Sequence, residues 1–457
     1  MLLVALPFVL TLLGATSSMS LGEALGYARE HQPLIRTAAA RANAQNVRAR
    51  IPRAQWQPLL GATAQALVGT VNNTTASYIG APTVELPRIG GRPGAVSYVS
   101  SGKWKGYDST LAAVGISQRV FDFGQVAAQA AAEDAGIEVE QQDLALQTLN
   151  TDFNVEESYY AVHAAKAVLK ASEEAFQRSV IHRDFASAGV KSGLRSPIDL
   201  TRAEADLARF DIGQIRARGG VVASQSVFAA VVGVSEPVLD VKGPPSPPQE
   251  MPSLPAAIAQ ASTHSPFILK PLARLKAQEM RSHAIGAELR PTLFLSGSLS
   301  GRAGGAPNAL GALSDTGGYL PDIPNWNVGF VLNIPLFDGV VLARRDASRA
   351  VETIRKEELS LAQQQQVAAI EQAFVQVDIA RSELPGLLRA QEAAFANYTQ
   401  ADARFRAGLG NSVELADAEA LRAEAEIQFA LGQFQLARNR ASFGRAIAES
   451  SRLGSIQ

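Results

Sequence analysis

The stretch "NVGFVLNIPLFDG", residues 327–339, passes from a strand pattern to a helix pattern within one short run. The residues between its large apolar side chains are mostly small or polar, and this period of two predicts a strand with one apolar face. The alternating apolar residues are Trp326, Val328, Phe330, Leu332 and Ile334. Pro335 ends the alternation, and the helix-like residues 340–405 follow. We therefore expect an amphipathic strand that leads directly into a long helix.

The two halves of the chain carry the same sequence pattern. The segment "LGEALGYAREHQPLIRTAAARA" from Leu21 aligns with "LPAAIAQASTHSPFILKPLARL" from Leu254, and the same offset brings Pro58 onto Pro291. Farther along, "RVFDFG" resembles "PLFDG", and "SGLRSPIDLTRAEADLA" resembles "AGLGNSVELADAEALRA". This similarity predicts two units of one design, each with the order helix, strand, strand, long helix, turn, helix.

The boundaries of these units follow from local composition. The first unit is predicted to cover residues 19–239 and the second residues 256–449, with residues 450–457 as a flexible tail. Residues 240–255, "DVKGPPSPPQEMPSLP", predict a Pro-rich extended linker. The opening run "MLLVALPFVLTLL" is shorter than the roughly 20 apolar residues that a transmembrane helix needs. Residues 1–18 therefore predict a secretory signal peptide, with a buried N-terminal helix as the alternative.

The composition argues against several classes of protein. With a formal net charge of −1 over 457 residues, acids balance bases, and nothing in the composition indicates a nucleic-acid partner. Cysteine is absent, so the chain has no disulfide and no thiolate metal site. No P-loop or His-Glu-x-x-His motif occurs, and the five histidines are scattered. We therefore expect no catalytic site, no metal site and no cofactor.

Two segments predict helices much longer than those of ordinary globular domains. Residues 124–186 and 340–405 contain no proline except Pro385, which we expect to kink the second helix. In the last helix, apolar residues from Val413 to Ala441 keep a 3-4 spacing, and a second apolar stripe lies on nearly the opposite side. A helix with two apolar seams is expected to lie between two neighbours, as in a wall of helices.

The pattern supplies only four strands. An open sheet cannot face lipid, because each unpaired N–H or C=O group at its edges would cost several kcal/mol. Transmembrane strands would therefore need several copies of the chain to close one barrel. Two copies would give eight strands and a filled interior, whereas three would give twelve strands and a lumen. A soluble sheet packed on helices is the alternative, but it does not account for the long helices.

The paired strand-to-helix corners are Phe121-Asp122 and Phe337-Asp338-Gly339, and the paired helix turns are "GLRSPIDL" and "GLGNSVEL". Together with the internal repeat, these motifs resemble the TolC-like outer-membrane efflux proteins over nearly the whole chain. The resemblance implies an α+β membrane protein, a homotrimer in which four strands per chain form a twelve-stranded outer-membrane β-barrel. A long α-helical coiled-coil barrel would continue it into the periplasm. Asp122 and Asp338 would cap the helices that they precede.

The resemblance also assigns roles to the two helix turns. Glu414 and Asp417 share a helix face and would line a channel aperture that attracts cations, with Asp199 as their counterpart in the first half. The alternative is that these acids only stabilise a helix N-terminus. The family's tyrosine and arginine latch is replaced by Phe405 and Gly410, which predicts a looser closed mouth. The small turn residues would let a periplasmic adaptor dock: Gly189, Gly193, Ser196, Gly408 and Gly410.

These features predict a passive exit duct in the outer membrane. The alternating residues from Trp326 to Ile334 would face outer-membrane lipid. The duct would belong to a tripartite efflux pump and would export small molecules or drugs delivered by an inner-membrane transporter and a periplasmic adaptor. A duct for type I protein secretion is the first alternative, and a periplasmic coiled-coil adaptor or scaffold is the second.

Overall fold

The computed structural model describes residues 18–70, 106–243, 251–304 and 323–449. The predicted signal peptide, up to residue 17, and the predicted tail 450–457 lie outside the described residues. The chain divides into two compact units. One contains the residues up to Asn43, Glu138–Ala273 and the residues from Lys356 onward, and the other contains Ala44–Ile137 and Arg274–Arg355.

The described elements of the two halves follow the same order, except that the first half has an additional short helix at residues 51–54. The first half contains β1 (Ser18–Met19), α1 (Leu21–His31), α2 (Pro33–Arg48), α3 (Ile51–Ala54), β2 (Leu59–Thr70), β3 (Gly106–Phe121), α4 (Gln125–Lys191) and α5 (Pro197–Val232). The second contains β4 (Asp240–Val241), α6 (Leu254–His264), α7 (Pro266–Ala287), β5 (Thr292–Gly304), β6 (Ile323–Asn333), α8 (Gly339–Arg406) and α9 (Ser412–Ala446). Helix α4 ends five residues later than predicted, and α8 continues through Pro385. No helix in the described ranges has an apolar stretch long enough to cross a membrane.

Each half begins with a short helix whose ends are set by its sequence. Ser20 and Glu23 form a reciprocal capping box at the start of α1. The helix stops at His31 because Gln32 takes an extended conformation before Pro33, where a helical backbone would clash with the proline ring. Ser265 does the same before Pro266 in the second half.

The two helical cores are built alike. In the first half, Ala24 and Ala28 of α1 pack against Tyr159 and Phe228, all of which are buried. In the second half, Ala257 and Ala261 of α6 pack in the same way against Ile370, Val377 and Phe443. Alanine on the short helix allows the long helices to approach closely, so this packing explains the small residues of both α1 and α6.

The predicted linker 240–255 begins inside a strand. Asp240 and Val241 form β4, which pairs in parallel with Ser18 and Met19 of β1. Asp240 also forms an ion pair with Lys166, at 2.6 Å. The start of this segment is therefore attached to the first half by backbone pairing as well as by charge.

A four-stranded antiparallel sheet joins the two halves in the order β2-β3-β5-β6. The register aligns Ile116 of β3 with Gly297 of β5, and Gly297 with Val328 of β6. The gap beside Gly297 is narrow, because a Cβ atom there would lie 3.3 Å from Ile116 Cγ2. Glycine at this position therefore allows the two flanking β-branched residues to pack across it.

The sheet has one apolar face and one mostly polar face. Trp326, Val328, Phe330 and Leu332 are exposed on the apolar face. Trp326 aligns there with Leu299 of β5. Ser298 and Asn327 lie opposite each other on the second and share a hydrogen bond of 3.2 Å. The apolar and polar side chains of β6 therefore alternate between the two faces, as the sequence predicts.

The prediction that the strand reaches Ile334 is wrong by one residue. Strand β6 ends at Asn333, which pairs with Thr292 at the start of β5. The residue before Thr292 is Pro291, which has no N–H group to donate to the next position of the ladder. Ile334 is exposed but lies beyond the strand.

An aspartate forms each corner between strand and helix. Asp122 accepts hydrogen bonds from the N–H groups of Gly124 and Val126, at 2.9 and 2.7 Å. Asp338 accepts them from Val340 and Val341, at 2.8 and 3.1 Å. The side chains thus satisfy N–H groups that the first turn of a helix leaves free.

The two corners differ by one residue. Phe123 and Gly124 both have positive φ angles, of 52° and 87°, so the first corner contains a left-handed step that the second lacks. Phe337 and Gly339 complete the shorter second corner, where Phe337 is 80% exposed. Phe121 is also exposed and packs edge-on against Phe123.

Candidate functional site: the two helix turns

The turns after α4 and α8 have the same backbone conformation. Gly193 and Gly408 have φ angles of +73° and +75°, which favour glycine. The N–H group of the next residue, Leu194 or Leu409, donates to the carbonyl five residues earlier, at 2.9 Å in both turns. This is the Schellman ending of a helix. Gly193 and Gly408 are therefore required by the backbone, and an added Cβ atom would meet no other atom at either position.

A hydrogen bond connects the turn after α8 to helix α5, which follows the turn after α4. Ser412 is buried, and its hydroxyl donates to Asp199 Oδ1 at 2.6 Å. Asp199 lies in the first turn of α5, which begins with Ser196 as N-cap and Pro197. Asp199 is thus held against the opposite turn instead of being free in solvent.

Arg195 links the first turn to the end of α8. Its guanidinium lies over the Phe405 ring, 3.6 Å from the ring centre, and donates to the Phe405 carbonyl at 2.6 Å. Phe405 is buried, and the rings of His182 and Phe185 also pack against it. A cation over a desolvated ring with a charge-assisted hydrogen bond is a strong contact. No local sequence pattern around Arg195 indicates a partner in the other turn, so this contact was not predicted.

Two of the small turn residues make room for this contact. A Cβ atom on Gly189 would lie 2.9 Å from Arg195 Cδ, and one on Gly410 would lie 3.2 Å from the Phe405 nitrogen. Both glycines therefore have a packing role inside the protomer. The expectation of a looser mouth, drawn from Phe405 and Gly410, did not take account of this contact.

The acids Glu414 and Asp417 lie at the beginning of α9. The Glu414 N–H donates to Asn411, the N-cap, at 2.8 Å. The Glu414 carboxylate pairs with Arg404 Nε at 3.3 Å, and both side chains are partly exposed. Asp417 is exposed one helical turn later. Within one protomer, the Asn411 side chain thus caps the helix start, and the Glu414 carboxylate already has one cation beside it.

A buried group of charges lies farther along the same helices. Arg178 of α4 pairs with Glu419 at 2.6 Å and lies 3.6 Å from Glu426, while Arg422 pairs with Glu426 at 2.9 Å. Burial raises the pKa of Glu419, and Arg178 acts in the opposite direction. Tyr398 packs beside both arginines, and burial raises its pKa as well. The sequence pattern did not predict this buried group, because charged residues on a helix usually indicate a solvated face.

Comparison with known proteins shows which family the chain resembles and which solved structures share its fold. A family model described as outer membrane efflux protein matches residues 24–234 and 257–449. Protein CyaE of Bordetella pertussis is 26% identical over 318 residues, a match that covers 69% of this chain but only 65% of CyaE. The outer-membrane channel OprN shares the fold with a TM-score of 0.72 at 21% identity, covering 93% of this chain and 89% of OprN. The CmeC outer membrane channel of Campylobacter jejuni gives a TM-score of 0.74 at 14% identity, with coverages of 93% and 85%.

Proposed function

Because the chain belongs to the outer membrane efflux protein family, we propose that it is the outer-membrane exit duct of a tripartite export pump. It is a channel protein and not an enzyme. Three copies would close a twelve-stranded barrel in the outer membrane, and the long helices would continue it through the periplasm. The duct would take small molecules from a periplasmic adaptor and an inner-membrane transporter and would consume no energy itself.

The observation that carries this proposal is the two-sided sheet with open edges. Among the described strands, β2 and β6 each have one edge without a partner. The exposed apolar face, on which Trp326 and Phe330 are 78% and 70% exposed, suits contact with lipid. The opposite face, with Ser298 and Asn327, suits a water-filled lumen. Lipid on one face requires closed edges, and further copies of the chain supply them.

The proposed duct can be tested in whole cells and in bilayers. Trimers that resist heat in the outer-membrane fraction, together with single-channel conductance of the purified protein, are the expected results. Loss of the gene should then raise the cellular retention of small export substrates. If instead the set of secreted proteins changes and small-molecule retention does not, type I protein secretion is the function. Recovery only as a soluble periplasmic protein would contradict the proposal and support an adaptor or scaffold.

The carboxylates of the second turn are proposed to line the mouth of the trimer. Glu414 and Asp417 from three chains would bring carboxylates together around one axis, where they attract cations. Replacing Glu414 by Gln and Asp417 by Asn should abolish cation preference and block by divalent cations, with normal insertion. The measurement is the reversal potential of single trimers under a salt gradient.

A matched variant sharpens this measurement. Arg404→Gln removes the cation that pairs with Glu414, so cation preference should increase or stay at its wild-type value. If the acids serve only the helix start, the double variant keeps its reversal potential and loses only about 0.3–1 kcal/mol of stability per residue. That result would remove the carboxylates from the proposed aperture.

The turns are also proposed as the docking surface for the adaptor. Leu194 and Leu409 follow the two left-handed glycines and are 84% and 76% exposed, although they are large and apolar. Because a buried leucine contributes about 1.5–3 kcal/mol, replacing both by Ser should weaken adaptor binding at least tenfold and reduce export. Their backbone hydrogen bonds do not involve the side chains, so trimer yield should be unchanged.

Two comparisons separate docking from turn stability. Replacing both leucines by Met keeps an apolar surface and should preserve adaptor binding in a pull-down assay. Gly193→Ala leaves the leucines in place but forces an L-residue into a left-handed conformation, at a cost of about 1–2 kcal/mol. Normal adaptor binding by the double Ser variant would move the docking surface away from these turns.

A further inference from the structure

A cavity of about 430 Å³ lies in the helical unit between α8, α9 and the beginning of α7. This volume is within the range of small-molecule sites, about 300–1,000 Å³. Amide and hydroxyl side chains account for most of its polar lining: Gln365, Gln366, Gln372, Gln376, Asn439 and Ser442. No carboxylate lines it, and its one charged residue is Arg445.

Arg445 is a half-buried cation without an acidic partner among the described residues. Its guanidinium lies 5.3 Å from the ring centre of Phe153 and 5.5 Å from that of Phe267, and its Nε donates to Asn150 at 2.8 Å. Burial lowers its pKa, and no carboxylate offsets this effect. Arg29, another half-buried arginine, is by contrast paired with the carboxylate of Asp152 at 2.7 Å. A buried charge that lacks a counter-charge is costly to stability, so the cavity favours an anion.

The buried amides of the cavity are held in fixed positions. The Gln366 amide donates to the Ala446 carbonyl. The Asn439 amide donates to the Gln376 carbonyl at 2.8 Å and accepts from Gln435 at 2.8 Å. Gln372 is exposed at the rim. Amides both donate and accept hydrogen bonds, so a lining of this kind suits a ligand that has hydroxyl or amide groups.

Two of the polar groups that line the cavity have no counterpart in the first half of the chain. In the alignment of the two repeats, Phe443 corresponds to Phe228, and both are buried in their respective cores. The same alignment places Ala230 at the position of Arg445 and Ser224 at that of Asn439. Because the first half packs a matching core without these groups, the packing of the repeat does not require them.

We infer that this cavity binds a small carboxylate ligand that also carries hydroxyl or amide groups, with the carboxylate on Arg445. One guanidinium balances one negative charge. Arg445 lies in the last turn of α9, where the helix dipole is negative, so a doubly charged phosphate is disfavoured. The amides and Ser442 would bind the neutral polar groups of the ligand. The inference does not depend on the export function.

Calorimetry on the purified full-length protein tests the inference with probes of two kinds. Galacturonate represents a sugar acid, and N-acetylglycylglycine represents a peptide carboxylate. We expect at least one to bind with a Kd of about 1 mM or tighter, and which of them binds identifies the source of the carboxylate. Galactose, the neutral peptide amide and inorganic phosphate should bind at least tenfold more weakly. Absence of binding by both acids, or equal binding by the neutral probes, would overturn the inference.

Two variants assign the binding to this cavity. Arg445→Met keeps apolar contact with the two phenylalanine rings but removes the charge, so the Kd of the acid should rise at least tenfold. Its melting temperature should stay near or above the wild-type value, because no ion pair is lost. Gln372→Ala changes an exposed rim residue, cannot disturb the core, and should raise the Kd severalfold. If both variants bind the acid as the wild type does, the site lies elsewhere.

Discussion

Replacing Arg178 by Met should lower the free energy of unfolding by about 3–5 kcal/mol, the cost of leaving a buried charge without its partner. Glu419 is only 5% exposed, and Arg178 is the cation in direct contact with it, at 2.6 Å. Removing the guanidinium leaves that carboxylate in a poorly solvated site. Denaturant unfolding of the purified protein measures the loss.

A control and a second variant define the cause of this loss. Arg406 pairs with Asp402 on α8, but the arginine side chain is 59% exposed, so Arg406→Met should cost less than about 1 kcal/mol. Adding Glu419→Leu to Arg178→Met removes the stranded charge and should restore much of the lost stability. If the free energy of unfolding of Arg178→Met lies within about 1 kcal/mol of the wild-type value, the buried charges do not stabilise the protein.

The pH dependence of the Arg178 variant has a definite sign. Burial raises the pKa of Glu419, and loss of Arg178 should raise it further. A carboxyl group with a raised folded-state pKa contributes most to stability when it is protonated, and this contribution is lost as pH rises through that pKa. The destabilisation of Arg178→Met should therefore be smaller at mildly acidic pH than at alkaline pH. Arg406→Met should show no comparable change.

Replacing Phe330 by Arg should cost about 2–4 kcal/mol of stability if the apolar face of the sheet contacts lipid. Phe330 lies inside β6, three residues before its end at Asn333, and is aligned with Leu295. A charged side chain there would have to enter the hydrocarbon layer. Unfolding from lipid vesicles, together with the yield of assembled trimer, measures the effect.

The neighbouring residue is the matched control for this substitution. Val331 lies on the opposite face, aligned with Phe294, and is half-buried. Val331→Arg should therefore be milder, because its charge would point to the face that we propose to be water-filled. Equal losses for the two variants would contradict the assignment of the lipid face.

Much of the architecture could be predicted because it rests on local patterns. The alternation from Trp326 to Leu332 reflects the geometry of a single strand, and the aspartate corners at Asp122 and Asp338 depend on neighbours two to four residues away. The family was recognised from these motifs, and the family model confirms it. The same local reasoning extended the strand one residue too far, to Ile334, because the residue that would pair with it, Pro291, lies before β5 and is distant in the sequence.

The contacts at the candidate site could not be predicted, because they join residues that are distant in the sequence. Arg195 meets Phe405, and Arg178 meets Glu419, only after two long helices have packed together. The sequence around a single arginine in a turn does not indicate which aromatic residue it will contact. Arg445 was missed for the opposite reason, since its significance lies in the lack of an acid nearby.

The pairing of β3 with β5 has a consequence for the order of events during folding. Strand β3 can pair with β2 soon after both are synthesised, but residues 122–291 must follow before β5 exists. During that interval the β2–β3 hairpin has an open edge and an apolar side, which is the combination that promotes aggregation of nascent chains. The long connection also makes the final closure slow. A holding chaperone would be most useful to this protein in that interval, with the β2–β3 hairpin as its substrate.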